Sequence, residues 1–205
     1  ENRINTTDSL FFKKGMFDDA KYGMKHSIPV STNFKVLKHL SVSMNGNFDE
    51  IWTGNTINRT DYNISSQEQS EKIKIKGFDR FNQYNFGMSV GTTIYGLFNF
   101  KENSKIQSIR HVIRPSVSYN IRPSFKKYYD TYIIDADGNT AEYTRFEDNF
   151  FGLPSKRYSS SIGLQISNNL EAKVKDKDSL ATEPKKVTIL NNLNISTNYN
   201  LAVDS

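Results

Sequence analysis

The sequence predicts an all-β fold: an antiparallel transmembrane β-barrel segment of about six long strands with long extracellular loops, part of a larger barrel. Apolar and polar residues alternate with a period of two along six runs, as on a strand with one apolar face. At about 13–20 residues the runs exceed the usual length of strands in globular proteins, and strands of this length can cross a bilayer at a tilt. The links alternate between short and long, which is typical of outer-membrane barrels with tight periplasmic turns and extended extracellular loops.

The composition limits the classes of function. Hydrophobic residues make up 36% of the 205 residues and aromatic residues 13%, and this aromatic content excludes a chain that is disordered throughout. There is no cysteine, which excludes disulfides, cysteine-ligated metal sites and cysteine nucleophiles. The net charge of +5 is compatible with lipid phosphates, acidic sugars or nucleic acid and does not decide among them.

The N-terminal part, residues 1–21, has no signal-peptide pattern and is expected to be the end of an extracellular loop. The first run follows at about 22–34, where apolar residues alternate with lysine, serine and asparagine. A short link leads to the second run at about 40–52. The polar stretch 53–79 comes next and is predicted to be a long extracellular loop.

The third run, about 80–100, lies in a long stretch without charge. A transmembrane helix is not predicted there, because the stretch contains several asparagine and glutamine residues and three glycines. The stretch alternates instead, with Phe86, Met88 and Val90 on one side and Gly87 and Ser89 on the other. This pattern predicts a strand with one apolar face.

The fourth run, about 106–122, carries three arginines on its polar side. The long stretch 123–156 follows and is predicted to be a second extracellular loop. Within it, Asp137 and Gly138 lie between two alternating segments, which predicts the tip of a β-hairpin.

The fifth and sixth runs, about 157–174 and 186–202, are joined by a charged link. The polar side of the runs is rich in serine, asparagine and glycine, which suit a hydrated lumen better than a soluble surface. Residues 22–205 are therefore predicted to form the β-barrel segment. Six strands cannot close a barrel alone, so we expect the chain to be a fragment or to pair with strands elsewhere. Two alternatives stay open: another outer-membrane barrel, such as a porin or nutrient transporter, and a soluble sugar-binding β-sandwich.

Three stretches of the sequence resemble a known family: GMKHSIPVSTNFKVLKHLSVS, YGLFNFKENSKIQSIRHVIRPSVSYNIRPSF and LNNLNISTNYNLAVDS. They are similar to the barrel of the LPS-assembly outer-membrane protein LptD, in its Bacteroidota type, and RHVIRPSVSYNIRPSF is the most specific part. The resemblance implies a large barrel in the bacterial cell outer membrane that receives lipopolysaccharide (LPS) from a periplasmic bridge and releases it sideways into the outer leaflet. Nothing in the sequence matches the periplasmic jellyroll of that family.

The resemblance also implies a set of partners. These are lipopolysaccharide, the periplasmic LPS bridge proteins, a lumenal plug lipoprotein of the LptE type, and outer-membrane lipid. Nucleic acid is not expected as a partner, because the sequence has no aromatic and basic motif of a known module. Neither catalysis nor a cofactor is expected.

The candidate site residues are the arginines of the fourth run, Arg110, Arg114 and Arg122. Their side of the strand is expected to face the lumen, where a permanently charged guanidinium can bind phosphate bidentately. We therefore predict lumen-facing contacts with the phosphorylated headgroup of LPS or with the plug. The alternative is structural, since arginines inside barrels commonly pair with acidic residues on neighbouring strands or on a plug.

Other motifs have simpler interpretations. Asp135, Asp137 and Asn139 resemble a calcium loop only in part, because the glycine stands at the fourth position and no glutamate closes the loop at the twelfth. The three histidines lie far apart, and no metal or catalytic site is predicted from them. Pro29 and Pro115 fall inside runs, and each predicts a bulge, an edge or a break in strand pairing.

Overall fold

The computed structural model describes residues 1–6, 13, 20–101, 104–175 and 184–202. Within these residues the fold is all-β and antiparallel, which confirms that part of the prediction. The described residues include no helix that is long and apolar enough to cross a membrane. Their strands are β1 (Asn2–Asn5), β2 (Lys21–Val36), β3 (Leu40–Arg59), β4 (Lys72–Gly91), β5 (Ile94–Asn99), β6 (Ile106–Arg122), β7 (Tyr129–Ile133), β8 (Thr140–Thr144), β9 (Ser159–Val174) and β10 (Lys185–Asn200).

Eight strands form one sheet in the order β1-β2-β3-β4-β6-β9-β10, and the eighth, β5, pairs with β6. Strands β7 and β8 form a separate hairpin. Its turn contains Asp137 and Gly138, and the φ of +78° at Gly138 lies in the left-handed region that favours glycine. The predicted hairpin is therefore confirmed.

The chain folds as two compact units. Unit one comprises Glu1–Val30, Gly46–Asn85 and Arg122–Ser159. Unit two comprises Ser31–Asn45, Phe86–Ile121 and Ser160–Ser205.

Unit one has an aromatic core between the sheet and the segment 123–158. Ile51, Phe81 and Phe146 are buried, and Tyr128 and Phe151 pack against them. The ring centroids of Phe81 and Phe146 are 4.7 Å apart. The segment 123–156, predicted to be an extracellular loop that contains a hairpin, is thus packed on the sheet.

Alternate residues of β4 hold this segment in place. The Asp79 carboxylate accepts a hydrogen bond from Nε of Arg145 at 2.6 Å. Two residues further along β4, the ring of Phe81 packs against that of Phe146. Two residues beyond Phe81, Gln83 Oε1 accepts a hydrogen bond from the Ser155 amide at 3.3 Å. Because side chains at i, i+2 and i+4 line one face of a strand, the contacts come from one face of β4.

The predicted loop 53–79 is wrong in its extent. Strand β3 continues to Arg59 and β4 begins at Lys72, which leaves 60–71 as the connector. The end of β3, residues 53–59, has the composition of a loop because only Ile57 is apolar, whereas the start of β4 alternates lysine with Ile73 and Ile75. Backbone pairing does not require apolar side chains. The end of β3 is buried at Thr53, Thr56 and Ile57, whereas the first residues of β4 are exposed.

Ion pairs join the segment 123–158 to both strand ends. Arg59 donates from Nη2 to both carboxylate oxygens of Glu147, at 3.0 and 3.1 Å. Lys72 Nζ lies 2.7 Å from Asp148 Oδ1. Arg59 and Lys72, two polar residues of the predicted loop, therefore pair with a second chain segment.

The predicted third strand, 80–100, is wrong as a single strand, because the structure divides it into β4 and β5. The break is at Thr92 and Thr93. Thr92 lies beside Pro115 of β6, and its amide donates to the Pro115 carbonyl at 3.1 Å. Proline has no amide to return the bond, so the ladder is interrupted at this point. The local break predicted for Pro115 is confirmed, and it falls in the neighbouring strand.

The predicted N-terminal loop, 1–21, contains a short strand. Strand β1 pairs with β2 from Asn5 opposite Lys21 to Asn2 opposite Met24. Residues 7–12 and 14–19 of the predicted loop lie outside the described residues. Among the described residues β1 pairs with β2 only as far as Met24, so no described strand lies beside Pro29 on this side of β2.

Candidate functional site

Unit two presents one apolar and one polar face. Across β4 and β6, Val90 lies opposite Val117 on the apolar face. Ser89 lies opposite Ser118 on the polar face. Side chains on the apolar face are exposed, and they include Phe86, Met88, Val117, Leu164, Ile166 and Ile195.

Glycines make room for amide side chains on the polar face. A Cβ atom at Gly87 would lie 2.7 Å from Asn45 Oδ1 and 2.8 Å from Asn120 Oδ1. A Cβ atom at Gly163 would meet Ser118 and Asn198 in the same way, at 2.6 and 2.7 Å. The polar face is thus a closely packed layer of small neutral groups that crosses five strands.

Arg114 lines a groove on this face at the break between β4 and β5. The groove has a volume of about 300 Å³ and is lined by Ser41, Gly91, Thr92, Thr93, Arg114, Pro115, Ser116, Gln165 and Ser167. In the described part of the chain, Arg114 makes no ion pair. A guanidinium that is exposed beside hydroxyl and amide groups can bind an oxyanion such as phosphate.

Arg110 has a different environment. Its Nη1 lies 4.0 Å from Oε2 of Glu171 on the neighbouring strand β9, and its guanidinium lies 5.5 Å from the ring centroid of Tyr95. Lys186 Nζ lies 3.0 Å from the same Glu171 oxygen. Arg110 therefore lies at ion-pair distance from an acidic residue of a neighbouring strand, and Lys186 shares that residue at a shorter distance.

Arg122 is the last residue of β6 and belongs to unit one, whereas Arg110 and Arg114 belong to unit two. Its side chain is exposed, and it forms no ion pair with any described residue. The structure places Arg114 in a groove and Arg110 in a charge cluster, so their environments are distinct. Sequence reasoning did not identify Glu171, Tyr95 or Lys186, because no local pattern links residues on different strands.

The three histidines lie apart. His26 packs against Trp52, with ring centroids 4.5 Å apart, and His111 Nε2 is 3.3 Å from Asn168 Oδ1. Among the described residues, no group of three histidine, aspartate or glutamate side chains could hold a metal ion.

The turn that resembles a calcium loop is closed by its own hydrogen bonds. The Asp135 carboxylate accepts from the Asn139 side chain at 2.7 Å and from the amides of Asn139 and Asp137 at 3.0 and 3.1 Å. These bonds favour the charged form and lower the pKa of Asp135 below its ordinary value, with the Asn139 side chain as the largest cause. The carboxylate oxygens are thus used within the turn.

The chain is similar to a known protein family over its whole length. A family model described as LptD protein matches residues 1–205 of the chain. No curated protein and no solved structure matches it significantly.

Proposed function

Because the chain belongs to the LptD family, whose members are outer-membrane proteins of Gram-negative bacteria, we propose that its strands form part of a transmembrane β-barrel that delivers LPS to the outer leaflet. Family membership itself gives a role in LPS transport at the outer membrane. The family is one of transport proteins and not of enzymes. The barrel and the delivery step are the proposed part.

The exposed apolar face of unit two carries the proposal. Val117 and Leu164 are each 48% exposed and Ile195 is 59% exposed, and they share this face with Phe86 and Met88. A contiguous apolar surface of this kind favours association or aggregation in water. The hydrocarbon of a bilayer would cover it without cost.

The length of the strands supports the same arrangement. Strand β6 has 17 residues. At about 3.3 Å per residue and a tilt of about 45°, it rises by about 40 Å, which exceeds the hydrocarbon thickness of about 30 Å. On this arrangement the polar face lines the lumen, and the connector 60–71 and the segment 123–158 lie outside the cell.

Arg114 is the best candidate among the three arginines for contact with LPS. A headgroup phosphate has two or more oxygens that match the guanidinium fork. Arg114 lies in an open groove without an acidic partner among the described residues, whereas Arg110 is paired with Glu171. We assign Arg114 to the LPS headgroup and Arg110 to the wall, and Arg122 stays a proposed contact of the headgroup or of the plug.

Some partners are implied by the family, and one is part of the proposal. The family implies LPS binding and the Lpt bridge system. An LptE-like lipoprotein in the lumen is part of the proposal and would meet the layer of serine, asparagine and glycine side chains on the polar face. The family match favours this reading over a porin, a nutrient transporter or a soluble sugar-binding sandwich.

Depletion of the full-length protein tests the function. Surface LPS is labelled on intact cells as the protein is depleted, and the labelled LPS should fall while LPS accumulates in the inner membrane. An unchanged level of surface LPS would contradict the proposal. Heat-modifiable migration in detergent tests the barrel separately, because a soluble sandwich would not show it.

A further inference from the structure

Strand β5, Ile94–Asn99, has one unpaired edge. It pairs with β6 only, although the sheet continues on both sides of the β4–β6 pair. Strand β3, which pairs with β4, begins at Leu40. The preceding residue, His39, accepts a hydrogen bond through its carbonyl from Thr92 Oγ1 at 2.8 Å, so the first residue of β3 lies beside the break that precedes β5. Beyond this turn, no described strand flanks β5.

The hydrogen-bond pattern shows which groups face the open edge. The amides of Thr92 and Phe100 donate to carbonyls beside β5, to Pro115 and Gln107 respectively. Since backbone groups alternate between the two sides of an antiparallel strand, the even residues between them also bond to β6. The amides and carbonyls of Tyr95, Leu97 and Asn99 therefore point to the open edge.

Further strands of a closed sheet cannot cover this edge. Such strands would join the sheet at its two ends, next to β2 and next to β10. Strand β5 is not at either end of the sheet. The space beside its open edge lies below the turn that joins β2 to β3. A strand placed there must come from outside the wall.

The side chains of β5 are apolar on both faces. Ile94 and Phe98 are 51% and 59% exposed on one face, and Tyr95 and Leu97 are each 64% exposed on the other. The strand contains neither charge nor proline, the features with which natural proteins usually protect an edge. An edge strand without protection and with apolar side chains on both faces is expected to be covered by another strand in the functional protein.

Exposed lysines lie at both ends of the edge. They are Lys38, in the turn between β2 and β3, and Lys101 and Lys105, between β5 and β6. Pairing of β5 with a second copy of itself would bring two such basic groups together, which is unfavourable. The charge therefore favours a different protein with acidic residues.

We propose that β5 binds an extended segment of a partner protein by strand addition. Main-chain hydrogen bonds to Tyr95, Leu97 and Asn99 supply the register, apolar side chains of the segment cover both faces of β5, and acidic residues beside them pair with the lysines at the ends of the edge. On the short-turn side of the sheet, where β5 lies, a barrel of this topology meets the periplasm. The placement of the partner in the periplasm rests on the proposed barrel, whereas strand addition itself does not.

A register walk with a photo-crosslinker tests the geometry. Benzoylphenylalanine is placed at Tyr95, Leu97 or Asn99 of the full-length protein in intact cells, and the crosslinked peptides are identified by mass spectrometry. Strand addition predicts that the partner residue moves by two positions in one direction at each step, because neighbouring strands keep a fixed register. Crosslinks without this progression, to lipid alone, or to β5 of a second copy would overturn the proposal.

Proline substitution tests the main-chain bonds. Leu97→Pro removes an amide that points to the open edge and leaves the bonds between β5 and β6 intact, so the crosslink from position 95 should fall at least about fivefold. Leu97→Ala keeps the amide and should retain most of the crosslink. Gly96→Pro removes an amide that faces β6. It serves as the control that shows how far the crosslink falls when the pairing between β5 and β6 is itself disrupted. Equal crosslinking in Leu97→Pro and Leu97→Ala, with heat-modifiable migration preserved in both, would refute strand addition and leave LPS transport untouched.

Discussion

The amide of Thr92 donates to the carbonyl of Pro115 at 3.1 Å, and no amide at Pro115 can return the bond. This single missing donor divides one predicted strand into β4 and β5. The same point of the sheet holds the arginine-lined groove on the polar face. A local interruption of the ladder thus creates the concave surface from which Arg114 is accessible.

Replacement of Pro115 by alanine should repair the ladder. The new amide would face the Thr92 carbonyl and should become protected from hydrogen exchange, like the amide of Val117 in the same strand. The gain in stability from one backbone bond is about 1 kcal/mol, reduced by the greater flexibility of the unfolded alanine chain. Hydrogen exchange of the folded protein in detergent measures it, and rapid exchange at position 115 would show that the break has another cause.

Arginine at position 90 should be far more damaging than arginine at position 89. Val90→Arg places a charge on the apolar face and should cost about 2–4 kcal/mol if this residue lies near the bilayer midplane. Ser89→Arg places the same charge on the polar face, where it keeps its water. Equilibrium unfolding from lipid vesicles compares the two variants. Similar destabilisation by both would contradict the assignment of the faces.

Arg110 and Arg114 should respond differently to glutamine. Arg114→Gln should slow the appearance of labelled LPS at the cell surface while the barrel assembles normally. Arg110→Gln removes an exposed ion pair with Glu171 and should change stability by at most about 1 kcal/mol without affecting delivery. Surface labelling and heat-modifiable migration are measured for each variant and for the double variant. Normal assembly and normal delivery in the double variant would eliminate both roles.

Phe146 should anchor the segment 123–158. The side chain is 1% exposed, and truncation to alanine should cost about 3–5 kcal/mol of local stability. Limited proteolysis of the folded protein should then cut within this segment much faster. Phe78→Ala is a matched control in the same unit, because Phe78 is 66% exposed and its loss should cost at most about 1 kcal/mol. Equal protease resistance of wild type and Phe146→Ala would show that other contacts hold the segment.

The hairpin turn should depend on pH through Asp135. Since the pKa of Asp135 is lowered in the folded protein, folding favours the carboxylate. Its contribution is present above the ordinary pKa of 3.8 and is lost as the pH falls through the lower folded value. The Asn139 amide resonance should therefore titrate with a midpoint below 3.8. Asp135→Asn should abolish this titration and Asp137→Asn should leave it unchanged.

The sequence predicts the strands of unit two well because alternation is a local signal. Val90 and Val117 can be assigned to one face from their own strands alone. The end of β3 could not be predicted in this way, since its partners lie in a distant segment, whereas the start of β4 does alternate at Ile73 and Ile75. Ile57, for example, donates its amide to the Arg145 carbonyl, and 88 residues separate Arg59 from its partner Glu147.

In the candidate site, too, some features follow from the local sequence and others depend on residues that are distant in the chain. Arg110 and Arg114 have the same spacing, strand side and residue type, so the sequence treats them as equivalent. What distinguishes them is Glu171, which the strand order places beside Arg110. The sequence predicts that Pro115 interrupts strand pairing. It does not predict that the interruption falls at Thr92 and Thr93, because that depends on which residues of the two strands lie opposite each other.

The contacts between alternate residues of β4 and the segment 123–158 have a consequence for selection at the cell surface. On the proposed topology, antibodies and bacteriophages meet only the outward side of this segment. Its inward residues, Arg145, Phe146 and Ser155, are tied to Asp79, Phe81 and Gln83. Strains under immune or phage pressure can therefore vary the outward residues freely. Antigenic diversity should be confined to that side, and a vaccine epitope chosen there would be the one most easily escaped.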